Sequence, residues 1–123
     1  MRRLVLVIGM LACPLWGETA GEMLSRCKQI PDAKIEDGRI GFVTHDFDEG
    51  VCWGAFSIIQ RIIVMADPDK QPTFKICSPK SALRNQHVAI FVEYLRRNPQ
   101  RLHEEFLHVA LDALRAAFPC GKP

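Results

Sequence analysis

The chain has no C-x-x-C pair, no glycine-rich phosphate loop, and no recognisable Ser/His/Asp or Cys/His arrangement. The first absence leaves zinc ribbons and thioredoxin-like redox chemistry without their ligand spacing. The second removes nucleotide cradles. The third removes covalent catalysis by an activated nucleophile. No apolar run reaches the length that crosses a bilayer, about 20 residues. An excess of one charge is also missing: 16 Lys+Arg stand against 14 Asp+Glu. No basic face is suggested, so nucleic acid is not an expected partner. There is no internal repeat and no low-complexity tract.

What the chain does contain starts with its N-terminus. Arg2 and Arg3 precede an apolar stretch from Leu4 to Leu15, and small residues follow at Gly17 and Ala20. That order of charge, apolar run and small residues is an export signal. It is expected over 1–17, with a single domain over 18–123. No stable membrane insertion is expected once the signal is removed, and Pro14 argues against a continuous helix there. A lipoprotein reading would modify Cys13, but Leu11-Ala12 is a poor lipobox and Pro14 is awkward behind a modified cysteine. Without Arg2 and Arg3 the basic residues equal the 14 acidic ones, so the mature protein is near neutral.

Five cysteines become four once Cys13 leaves with the signal: Cys27, Cys52, Cys77 and Cys120. An even number in a small exported chain reads as disulfides. Spacing alone does not choose among the pairings.

Four segments carry helical periodicity. Thr19 with Glu22 three residues on is a capping box; Met23, Leu24, Cys27 and Ile30 follow, and Pro31 stops the helix. The second helix is expected from about Val51 to Met65. Its stripe is Cys52, Phe56, Ile59 and Ile63, widened by Ala55, Ile58 and Ile62. Apolar nearly all round, it reads as a central buried helix, with Gly50 and Gly54 admitting a neighbouring backbone. The third is expected over Asn85 to Arg97, with Val88, Phe91, Val92 and Leu95 inward, broken by Asn98-Pro99. The fourth is expected over Arg101 to Phe118, ended by Pro119. Trp53 and Tyr94 read as core or interface aromatics.

The fourth segment opens on "LHEEFLH", a near miss of the zinc motif H-E-x-x-H. That motif needs histidines four apart on one helix face. His103 and His108 are five apart and diverge by about 140° on a regular helix. Leu102, Phe106, Val109, Ala110, Ala113, Leu114 and Ala117 form an apolar stripe that leaves Glu104, Glu105, His108, Asp112 and Arg115 mostly off it. The expectation is an amphipathic helix whose histidines face water or a helix end, with no metal bound. Glu104 and Glu105 are adjacent, diverge, and cannot act as a facing acid/base pair. No catalytic residue is assigned; His45 and His87 also lack a catalytic setting.

Two connections are long. In "IEDGRIGFVTHDFDEG" the piece "RIGFVTH" is either a brief extended element or a sign that helix two starts earlier. "DFDEG" places Gly50 at the fifth position of an EF-hand count, where an oxygen ligand is required, so it reads as a solvated acidic loop. The second connection, "ADPDKQPTFKICSPKSALR", holds three prolines and is an exposed surface.

The cysteines and their neighbours carry a resemblance. They are Cys27 late in helix one, Cys52-Trp53-Gly54-Ala55 opening helix two, and Cys77-Ser78-Pro79 before helix three. Tyr94-Leu95 with Pro99, and Ala113-Leu114 with Phe118-Pro119-Cys120, complete the set. This set is similar to the Rap/Tai family of periplasmic immunity proteins, which neutralise peptidoglycan amidases delivered by type VI secretion. Ile58 departs from the pattern, which usually has a small residue one turn after Gly54. The resemblance implies an all-α, small four-helix domain stapled by two disulfides. It implies a periplasmic, non-catalytic protein that binds and blocks an amidase effector and needs no cofactor. A homodimer stays open. The alternative class is a small disulfide-stapled periplasmic chaperone or envelope binding protein unrelated to toxin neutralisation, because stapled helical folds recur across functions.

In an antiparallel hairpin of helices three and four, Cys77 and Cys120 lie at the same end. Cys27, late in helix one, likewise lies near Cys52 at the start of helix two. Cys27–Cys52 and Cys77–Cys120 are the expected bridges. The partner-binding segment is expected over Asp67 to Ile76, where Pro68 and Pro72 stiffen the backbone and lower the entropy cost of binding. Lys70, Phe74 and Lys75 are its contact residues, with Phe74 as an aromatic anchor. The competing reading is a solvated linker with Phe74 folded back onto the core.

Overall fold

The computed structural model of the chain describes residues 17–30, 35–36, 39–40 and 46–121. The signal expected over 1–17 lies outside them apart from Gly17, as do Cys13, Pro31 and His45. The elements are α1 (Ala20–Cys27), β1 (Ile35–Glu36), β2 (Arg39–Ile40), α2 (Phe47–Ile62), α3 (Arg84–Arg97), a 3-10 turn (Pro99–Arg101) and α4 (Phe106–Ala117). The four-helix expectation holds. The long connection after α1 hides a minimal antiparallel hairpin with Ile35 opposite Ile40 and Glu36 opposite Arg39.

α1 starts where its capping box places it. The Glu22 N–H donates to Thr19 Oγ1 at 3.2 Å, and the Thr19 N–H donates to Glu22 Oε2 at 2.8 Å. α2 begins at Phe47 rather than Val51, because "DFDEG" is its cap and first turn, not a solvated loop. Asp46 accepts from the Asp48 N–H at 3.0 Å, and Asp48 and Glu49 sit in the first turn. Carboxylates there satisfy unpaired amides and complement the helix dipole.

α4 is shorter than expected, because Leu102 to Glu105 spend their backbone groups on the N-terminal segment. The Ala20 N–H donates to Glu104 O at 2.8 Å, the Gly21 N–H to Leu102 O at 2.9 Å, and the Phe106 N–H to Glu18 O at 3.0 Å. A Cβ at position 21 would lie 3.1 Å from Leu102 O, so this close approach uses glycine.

The core draws on every helix: Met23 and Cys27 from α1; Cys52, Phe56 and Ile59 from α2; Val88, Phe91, Val92 and Leu95 from α3; Val109, Ala110, Leu111 and Leu114 from α4. At its centre Phe56, Phe91 and Phe106 meet pairwise at 5.4–5.9 Å between ring centroids. Tilted and edge-on rings satisfy their quadrupoles. α2 departs from expectation here. It packs on α1 and α3, and only the Cys52–Phe56–Ile59 stripe with Ile63 is buried. Gly50 and Gly54 have nothing within 4 Å of an added Cβ, and Ile58 is exposed. Among the described residues the helix is therefore not buried all round, and its glycines admit no neighbour.

Both expected bridges form. Cys27 and Cys52 pair with Cα atoms 5.4 Å apart, and Cys77 and Cys120 with 4.9 Å. The second is flanked by backbone pairing: the Cys77 N–H donates to Phe118 O at 2.9 Å. Non-reducing peptide mapping should recover these two linkages. Cys77→Ala with Cys120→Ala should lower stability in urea denaturation by about 4 kcal/mol, the chain-entropy value for a loop of this length.

Candidate functional site

The corner between α3 and α4 is built around Arg101. Its Nε donates to both Glu104 oxygens at 2.9 and 3.0 Å, and its Nη2 to Glu104 Oε2 at 2.6 Å and Asp112 Oδ2 at 2.9 Å. Its Nη1 donates to the Tyr94 hydroxyl at 2.7 Å, with the guanidinium 5.6 Å from the Tyr94 ring centroid. Asp112 Oδ1 accepts from Arg115 Nη1 at 2.7 Å, and Arg115 Nε donates to Phe74 O at 3.1 Å. One continuous polar chain thus runs from α3 through the corner and α4 to the proline-rich connection. Hydrogen bonds that Arg101 donates to Glu104 and Asp112 raise its pKa. Those same bonds hold Glu104 below its ordinary value. Partial burial opposes ionisation of Asp112, but bonds from Arg101 and Arg115 outweigh it and lower its pKa.

This network reassigns "LHEEFLH". His103 precedes α4, exposed on the corner, and His108 lies exposed on the helix beside Glu105. The expected face-divergence on a regular helix does not apply to His103, which is outside the helix. Among the described residues no group of three or more His, Cys, Asp and Glu side chains could hold a metal.

The segment from Asp67 to Ile76 is ordered by turns and anchored twice. The Lys70 N–H donates to Asp67 O at 3.1 Å, the Thr73 N–H to Met65 O at 3.0 Å, and the Lys75 N–H to Pro72 O at 2.8 Å. Gln71 Nε2 donates to Gly121 O at 3.0 Å. Asp69 and Lys75 take φ of 62° and 55°, the left-handed region that costs side-chain-bearing residues about 1–2 kcal/mol. Lys70 and Lys75 are exposed, whereas Phe74 is partly buried against the core. Of the three residues expected to meet a partner, the two lysines therefore project and Phe74 folds back. Phe74 and Ile76 alternate with exposed Thr73 and Lys75, and for the Phe74 ring the competing expectation, folded back onto the core, is what the structure shows.

One pair escaped sequence reading. Ser78 Oγ lies 2.8 Å from His87 Nε2, although nine positions separate them. His87 is 2% exposed, edge-on to Phe118 at 5.7 Å between ring centroids. Its Nδ1 has no hydrogen-bond partner among the described residues. A buried lone pair without a partner costs less than a buried N–H without one, so the proton belongs on Nε2, donating to Ser78. General-base activation of a serine needs the opposite: Nε2 as acceptor and an oriented Nδ1–H. The pair is a clamp holding Cys77-Ser78-Pro79 onto α3. Similarly, Trp53 is covered by the Arg84 guanidinium at 4.6 Å from its ring centroid, and Arg84 Nε donates to Gln60 Oε1 at 3.0 Å.

Two outcomes follow from this polar framework. Burial lowers the His87 pKa from its ordinary 6.5. Below that pH the unfolded chain binds a proton that the folded chain does not, so stability should fall as pH drops, by at most about 1.4 kcal/mol per unit. His87→Gln should remove that part of the slope in urea titrations at stepped pH. Arg101→Met should cost about 2 kcal/mol and leave the helix content of the circular dichroism spectrum close to the parent's.

Comparison with known proteins adds one positive result. No curated protein and no solved structure matches the chain. A family model described as Rap1a immunity proteins matches residues 19–120. The matched span opens on the Thr19 cap and closes on Cys120, the limits within which the caps, the aromatic centre and both bridges lie, and the chain belongs to the Rap1a family of immunity proteins.

Proposed function

We propose that this protein is a periplasmic immunity protein that binds a peptidoglycan amidase delivered by type VI secretion and blocks it, with no catalysis of its own. Family membership carries the reading. The two disulfides support it, since such bridges persist in oxidising compartments such as the periplasm. No helix of the described residues is long and apolar enough to cross a membrane.

The Asp67–Ile76 segment is the proposed contact surface. Two adjacent turns hold Asp69 and Lys75 in left-handed backbone, strain that persists only where the surroundings over-determine it and that clusters at functional segments. The anchor through Arg115 makes the segment stiff before binding, which reduces the ordering cost. Lys75 and the Lys70–Asp67 pair present the charges, and Phe74 is only partly buried.

The test takes the mature, oxidised protein and a peptidoglycan amidase of the kind delivered by type VI secretion. Calorimetry and a muropeptide-release assay should show stoichiometric binding and inhibition. Lys70→Glu with Lys75→Glu should weaken binding at least about tenfold, or about 1.4 kcal/mol, with the melting temperature unchanged. Phe74→Ala is a poor probe because its ring contributes to the core. Lys75→Gly should raise stability by about 0.5–1 kcal/mol by relieving the left-handed strain while weakening the complex. An amidase that retains full activity with excess immunity protein would refute the reading.

A further inference from the structure

A cavity of about 150 Å³ lies between the C-terminal end of α2 and the connection into α3. Gln60 and Val64 line one side, Ser78, Lys80 and Ala82 line the other, and the buried ring of His87 is part of the wall. A turn shapes the second side: the Ala82 N–H donates to Pro79 O at 2.9 Å. The polar groups of this wall have donors to spare. Ser78 Oγ accepts from His87 Nε2 at 2.8 Å, which leaves its own hydroxyl proton to be donated. Gln60 spends its carbonyl oxygen on Arg84 Nε at 3.0 Å and keeps its amide N–H groups. Lys80 is exposed and has no ion pair among the described residues. No carboxylate among the described residues lines the cavity.

We propose that this cavity is a socket for one carboxylate on a short aliphatic stem, carried by a glutamate or aspartate side chain of the protein partner. A carboxylate only accepts hydrogen bonds, so a hydroxyl, an amide and an ammonium suit it, and the ammonium also supplies the opposite charge. Val64 and Ala82 give the wall an apolar part, which suits methylenes better than a bare inorganic anion. A cavity of this volume holds a molecule the size of benzene, so the end of a glutamate side chain fits. The rim points to a protein as the carrier. Val64, Met65 and Leu83 are 65%, 61% and 57% exposed, and Met65 and Leu83 directly follow the lining residues Val64 and Ala82. A free small acid leaves these apolar side chains in water, whereas a protein surface covers them. The socket also adjoins the Asp67–Ile76 segment, whose Thr73 N–H donates to Met65 O at 3.0 Å. The buried His87 fixes the Ser78 hydroxyl in place before any ligand arrives, which lowers the ordering cost. The identity of the partner rests on the effector-binding reading; the carboxylate chemistry does not.

The experiment has two arms, both on the mature, oxidised protein. In the first, N-acetyl-glutamate methylamide, whose only charge is the side-chain carboxylate, is titrated against the protein and followed by NMR. Saturable millimolar binding is expected, with shifts at Ser78, Lys80 and the Gln60 side-chain amide. The glutamine counterpart, an uncharged isostere, should bind at least about tenfold more weakly. Lys80→Met should weaken the glutamate probe by a similar factor, and Ala82→Leu, which fills the cavity, should abolish its binding. Lys28→Met, at an exposed lysine outside the cavity, should change nothing. In the second arm Lys80→Met should weaken the complex with the amidase at least about tenfold, with both disulfides and the circular dichroism spectrum intact. Equal binding of the two probes, shifts that never saturate, or a glutamate probe indifferent to Lys80→Met overturns the proposal. An amidase complex indifferent to Lys80→Met overturns it as well. An amidase that the parent protein does not bind refutes the effector reading alone, while the first arm still decides the socket.

Discussion

The Cys27–Cys52 bridge is the constraint from which the rest of the arrangement follows. α1 is 8 residues long, and isolated helices below about 12–15 residues are marginal in water. Its last residue is tied to α2 inside a fully buried contact. With α1 fixed, its N-terminal backbone reaches the Leu102–Glu105 corner and takes that corner's carbonyls. That pairing in turn delays the start of α4 to Phe106 and leaves the corner free to be organised by Arg101. The second bridge does the same at the opposite end of the α3–α4 hairpin, where Ser78 and His87 clamp the approach to α3.

The molecule separates rigid support from surface. The aromatic centre, the bridges and the Arg101 network secure the helices. The Asp67–Ile76 connection is held against them through Arg115 and Phe74. A binding protein gains from that division, because affinity lost to ordering a loop is regained when the loop is already ordered. The charges in the network are partnered; on the connection Lys70 pairs with Asp67 at 3.4 Å on the exposed surface, and Lys75 is exposed. The left-handed backbone at Asp69 and Lys75 has the character of strain stored at a segment that must keep one shape.

Legibility in the sequence followed period and chemistry. The inward stripes of α1 and α3 could be read residue by residue, since Met23, Cys27, Val88, Phe91, Val92 and Leu95 are all buried. The capping box at Thr19 was equally plain. α2 misled because hydrophobicity reports what a face could bury, not whether a neighbour exists. Ile58 and the glycines read as core in a helix that, among the described residues, packs on one side only. "DFDEG" misled in the other direction: its acids read as solvated loop, though acids before an apolar run also begin helices. Phe74 offered both readings, and its contact with the core resolves where its ring lies.

The sequence by itself determined the helix count, the core stripes of α1 and α3, the even cysteine set and the family pattern, because each is a local spacing that needs no distant partner to be recognised. The tertiary structure alone decided where α4 begins, which side of α2 is bare, and that Ser78 meets His87 and Arg115 meets Phe74. Those outcomes depend on backbone groups and side chains far apart in the chain competing for the same partners, and no local period records the winner.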